Sequence, residues 1–107
     1  MTITEPLHSF IKIETVINMT MVQLDGKKMN SIEQAHKYIS EKLQFPDYYG
    51  ENLDALWDML GEIFEPTVIE LINAKDLKKN LGQDAESLID VFSDAEEENE
   101  NIEFEVM

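Results

Sequence analysis

The stretch TVIELI, residues 67–72, decides the fold. It is set off by Pro66 on one side and by the lysine-rich AKDLKKN (74–80) on the other. Its β-branched and aliphatic residues read as a strand between turn signals. What flanks it determines the kind of sheet it joins. Upstream, MVQL (21–24) followed by Asp25-Gly26 reads as an earlier strand ending in a turn. Downstream, the chain closes on NIEFEVM (101–107), where Ile102, Phe104 and Val106 alternate with Glu103 and Glu105. That alternation describes a strand with one buried and one wet face, or an edge position.

Helical patterns fill the gaps between these strands. In SIEQAHKYISEKL (31–43), Ser31 and Gln34 form a capping box, and Ile32, Ala35, Ile39 and Leu43 make an inward stripe. Pro46 ends it, because the residue before a proline prefers an extended backbone. The loop PDYYG (46–50) follows, and Asn52 caps a second helix running to about Gly61. Within it, Leu53, Leu56, Trp57 and Leu60 recur at helical spacing and predict a buried stripe. After TVIELI, AKDLKKN predicts a short helix closed near Gly82. Asp84 is the expected cap of a longer helix that buries Ala85, Leu88, Ile89, Phe92 and Ala95, and EEENEN (96–101) reads as a charged loop.

Strands separated by helical crossovers are parallel, with right-handed connections. The order therefore predicts an α/β fold, a three-stranded parallel sheet with helices packed mainly on one face and the glutamates wet on the other. Residues 21–107 form the expected domain. Residues 1–20 precede it as an extension in which FIKIETVI (10–17) has the mixture of a short strand. Whether they extend the domain, mark a start ahead of Met19 or Met21, or are foreign to it stays open.

Charge narrows the function classes. The 107 residues carry 23 acidic and 8 basic side chains, a formal net charge of -15. Every basic residue is a lysine. Such a surface repels nucleic acid and anionic lipid, which need cationic side chains to hold them. It attracts basic proteins, or it serves only solubility. No basic residue lies between Lys42 and Lys75, where Asp47, Glu51, Asp54, Asp58, Glu62, Glu65 and Glu70 fall. With no cysteine, disulfides and thiolate metal sites are excluded. No apolar run is long enough to span a membrane, and no secretory signal is visible, so a cytoplasmic protein is expected.

The chemistry-bearing residues gather on the second predicted helix. Asp54 and Asp58 stand one turn apart, where like charges cost a helix about 0.2–0.5 kcal/mol. Either that face is solvated or its cation belongs to another molecule. Paired carboxylates also serve acid–base chemistry, but an outward helix face lacks the desolvation and the cleft such chemistry needs. DAEEENENIE lacks the spacing and turn glycine of a calcium loop, and the isolated glycines form no phosphate loop, so neither metal nor cofactor is expected. One of two adjacent tyrosines must pack inward. Tyr49 is expected to support the loop and Tyr48 to face out, giving an aromatic anchor beside the charge.

PDYYGENLDALWD (46–58) strongly resembles the helix-loop-helix signature of the barstar family, intracellular inhibitors of the ribonuclease barnase. The likeness continues through MVQLDGKKMNSIEQAHKYISEKL, EPTVIEL, DAESLIDVFSDAEEE and the last strand, covering about Met21 to Met107. The resemblance implies a noncatalytic immunity protein, a monomer when free, that blocks a small basic ribonuclease or toxin nuclease. By position, Asp58 would replace a substrate phosphate and Asp54 would meet neighbouring basic groups. Tyr48 would pack on the nuclease's catalytic histidine, Asn52 would lie at the contact edge, and Asp94 would add a contact from the third long helix. Three features depart from the family pattern. Ile63, at the rim of the implied contact, stands where a bulky aromatic is usual, and Gly61 is displaced, with Glu62 following it at the same rim. Asp94 is one methylene shorter than the usual glutamate, and the cysteine pair is missing. The competing reading is an acidic interaction module whose basic partner is not a nuclease.

Overall fold

The computed structural model describes residues 19–107. The FIKIETVI strand expected at 10–17 lies outside them. The elements run β1 (Thr20–Asp25), a 3-10 turn (Gly26–Lys28), α1 (Ile32–Leu43), α2 (Leu53–Gly61), β2 (Thr67–Ile72), α3 (Ala74–Leu81), α4 (Gln83–Glu98) and β3 (Ile102–Val106). Two helices separate each strand from the next, so every strand enters the sheet in the same direction. The sheet is parallel throughout, in the order β1-β2-β3. TVIELI is thus the central strand.

Register explains why the helices occupy one face. Val22, Ile69 and Phe104 align across the three strands, as do Leu24, Leu71 and Val106. Leu24, Ile69, Leu71 and Phe104 join the core together with Ala35, Ile39, Leu56, Leu60, Leu77, Leu88 and Phe92, drawn from all four helices. Phe92 stacks on Phe104 with ring centroids 5.1 Å apart. Because side chains alternate along a strand, the intervening row Gln23, Glu70 and Glu105 faces the other way. The wet glutamates are that second face. Val106 is half exposed at the end of β3, beyond the reach of the helices.

Local chemistry sets most boundaries where expected. Ser31 Oγ accepts from the Gln34 N–H, but Gln34 returns its bond to the Asn30 N–H, one residue further back than the usual capping box. Two expectations at α4 are corrected. Asp84 does not cap it: Gly82, at φ 58°, precedes the helix without a side-chain cap, and Asp84 sits in the first turn, where the helix dipole favours an anion. EEENEN is not wholly a loop either, since α4 continues through Glu98. Ala95 is buried against α2 and keeps the last turn in place despite its three glutamates. Among the described residues no helix is long and apolar enough to cross a membrane.

Candidate partner-binding site

The loop before α2 is fastened from beneath. The Tyr49 N–H donates to the Pro46 carbonyl at 3.0 Å. The Tyr49 ring packs on Phe45 at 5.0 Å between centroids, and its hydroxyl is hydrogen-bonded to His36 Nδ1 at 2.7 Å. Burial pushes the Tyr49 phenol up to about 12, with Glu51 adding to it. Burial also lowers the His36 pKa, opposed by Glu51 and Glu33. With Tyr49 turned inward, Tyr48 is left 77% exposed, as its sequence predicts.

The chain then reverses into the helix. Glu51 adopts the left-handed region at φ 54°, uncommon for a residue with a side chain. Asn52 closes the turn in both directions. Its Oδ1 accepts from the Ala55 N–H at 2.8 Å, and its Nδ2 donates to the Gly50 carbonyl at 3.2 Å.

On α2 the buried stripe is narrower than the spacing predicts. Leu56 and Leu60 are fully buried, with Ala55 and Met59 partly so, but Leu53 is 37% and Trp57 40% exposed. At about 100° per residue, Trp57 falls on the flank of the stripe, while Asp54 and Asp58 fall opposite it. Both aspartates are exposed, and Glu62 continues their row at the C-terminal cap. No basic residue occupies the last turn of α2 or of α4, so two negative dipole ends meet carboxylates without local relief.

A cleft separates α2 from α4. Trp57, Asp58, Gly61 and Glu62 line one side, Ala95, Glu98 and Asn99 the other. Asn99 ties the two helices together, its Nδ2 donating to the carbonyls of Leu60 at 3.0 Å and Ile63 at 2.9 Å. The structure therefore brings Asp58 and Glu62 to one cleft, with Asp54 one turn behind and Tyr48 and Asn52 on the preceding loop. Asp94 is exposed on α4 one turn before Glu98, beside the cleft and not in its lining. Ile63 is half-buried against the core and borders a different hollow. Sequence reading missed Trp57 and Glu98 as cleft residues. The position of Glu98 four residues after Asp94 was the available signal.

Among the described residues, no three histidine, cysteine or carboxylate side chains converge to hold a metal ion. The carboxylates offer a charged surface, not a desolvated acid. Such a surface is complementary to guanidinium and ammonium groups, which form charge-assisted hydrogen bonds to carboxylates.

A family model described as Barstar (barnase inhibitor) matches residues 19–107. The chain belongs to the barstar family. The barstar match spans every residue of this candidate site, from the Tyr48 loop to Asp94. A relative from Bacillus subtilis (strain 168), named "Putative ribonuclease inhibitor YrdF", is 41% identical over 81 residues, covering 75% of this chain and 89% of the relative.

Proposed function

We propose that this barstar-family chain inhibits a small basic ribonuclease of the barnase type, seating the loop 46–52 and α2 in the enzyme's substrate groove. A groove built to hold RNA phosphates presents cations. Asp58 occupies the place of a substrate phosphate, and Asp54 and Glu62 extend the same row. Asp94 adds a carboxylate from α4, and Asn52 and Ile63 lie at the rim. Tyr48 stacks against the enzyme's catalytic histidine. Inhibition is by occlusion, with no reaction on the inhibitor, and it protects the cytoplasm before the enzyme is exported. The observation that carries this reading is the uncompensated row Asp54, Asp58 and Glu62 along an exposed helix face. Its mutual repulsion in the free protein is relieved by a partner's arginines or lysines.

Titration against a panel of small basic ribonucleases, barnase included, tests the reading. The expected result is inhibition at one-to-one stoichiometry. Asp58→Ala is expected to weaken it at least about thirtyfold, ~2 kcal/mol, the threshold for an interface anchor. Asp54→Ala is expected to weaken it less. Circular dichroism checks that both variants remain folded. Unchanged inhibition by Asp58→Ala removes that carboxylate from the role, and capture of basic proteins without ribonuclease inhibition favours the interaction-module reading.

A further inference from the structure

Just past the acidic row, the turn that follows α2 carries an exposed aromatic. Phe64 is 81% exposed, more than any other large apolar side chain among the described residues. Its backbone is held firmly. The carbonyl of the preceding residue, Ile63, accepts from Asn99 Nδ2 at 2.9 Å and from Asn101 Nδ2 at 3.4 Å. An aromatic on a pinned turn loses little freedom on binding, and taking such a ring out of water is favourable.

Phe64 borders an open hollow of about 550 Å³ whose apolar floor includes Phe45, Met59 and Ile63 and whose lining also carries the charged Lys42, Glu62 and Glu65. A cavity of about 150 Å³ holds a benzene ring, so the hollow has room for several large side chains. Glu62 lines both this hollow and the α2/α4 cleft, which makes the two one continuous surface around the end of α2. Three helical rises and three extended steps separate Asp58 from Phe64, at most about 15 Å. A standard interface buries roughly 800 Å² per partner, a disc of about 16 Å radius. A partner centred on Asp58 therefore reaches Phe64. A second copy of the chain is opposed by its net charge of -15, and a basic partner is favoured by it.

We propose that Phe64 and its hollow are an apolar contact for the same basic partner that Asp58 engages. The hollow receives an apolar side chain that borders the partner's cationic groove. This rests on the ribonuclease-inhibitor reading, and it divides the labour. The acidic row governs association and its salt dependence, and Phe64 governs residence time.

Stopped-flow association and dissociation with the same ribonuclease panel, at low and physiological salt, test it on the full chain. Phe64→Ala is expected to raise the dissociation rate at least tenfold while changing the association rate less than twofold at either salt. Phe64→Leu is expected to recover part of the loss. Parent-like dissociation of Phe64→Ala beside faster dissociation of Asp58→Ala overturns this proposal and leaves the inhibitor reading standing. If neither variant differs from the parent, or the parent binds no ribonuclease, both fall. Sedimentation showing a parent dimer that Phe64→Ala abolishes assigns the hollow to a second copy and overturns the proposal as well.

Discussion

Tyr49 and His36 form the small buried unit on which the exposure of Tyr48 depends. A phenol and an imidazole share one hydrogen bond at 2.7 Å beneath the loop, and both are kept neutral by burial. The pH consequence follows by linkage. A lowered His36 pKa means that the unfolded chain takes up a proton near its ordinary value of about 6.5, where the native state does not. The His36 contribution to stability is therefore complete above about pH 6.5 and is lost as pH falls through the lowered native value. Tyr49 behaves oppositely at the alkaline end, where stability declines from about pH 10 upward because only the unfolded phenol ionises there. Acid also relieves repulsion among the carboxylates, so the histidine term is read as a difference between proteins. Urea unfolding from pH 7.5 to 5 is expected to show a loss of stability in the parent relative to His36→Gln. Parallel curves for the two proteins would refute the assignment. Glu51, in its left-handed conformation, carries strain at the same loop, since a side chain there costs roughly 1–2 kcal/mol.

Between elements, the join of β1 to α3 shows how closely two backbones approach. A Cβ at Gly26 would lie 2.2 Å from the Asn73 carbonyl oxygen and 3.1 Å from Leu77 Cβ. Asn73 itself adopts φ 55°, and its Nδ2 donates to Asp25 Oδ1 at 2.8 Å. With the Lys27 N–H also donating to it, that carboxyl is held below its ordinary pKa. Gly26 is therefore needed for clearance between β1 and the start of α3, not only for a turn. Gly26→Ala is expected to destabilise the fold by about 3 kcal/mol, the upper part of the overpacking range, seen as a lower urea midpoint. A midpoint within experimental error of the parent's would show that the two segments separate easily. The same logic explains why α4 runs through its glutamates. Ala95 is buried on one side of that turn and the charges are solvated on the other.

At the scale of the molecule, a net charge of -15 acts on folding and on binding in opposite senses. Self-repulsion loosens the compact state, whereas the same field draws in a basic partner. Screening weakens both, because the Debye length shrinks from about 30 Å at 0.01 M salt to about 8 Å at 0.15 M. Adding sodium chloride across that range is expected to raise the melting temperature of the free protein by a few degrees, equivalent to about 1 kcal/mol or less. The association rate with a basic ribonuclease is expected to fall at least tenfold over the same range. A salt-independent association rate would separate binding from the charge. Much of this architecture was legible without coordinates. Alternation in NIEFEVM, the Ser31 and Asn52 caps, Pro46 and the helix pairs on either side of TVIELI are local signals. Local stereochemistry turns such signals into strands, helix ends and parallel crossovers. The Tyr48/Tyr49 division was legible for the same reason, since neighbouring side chains cannot both face inward. Trp57, Glu98 and Phe64 were not. A helical period states which residues share a face, but not how wide a stripe the neighbouring helix covers. That width was decided by the packing of α2 on α4, which buries Leu56 and Leu60 and leaves Trp57 on the flank. The same contact brings Glu98 across from Asp58, and the bonds from Asn99 and Asn101 to the Ile63 carbonyl hold the turn that presents Phe64.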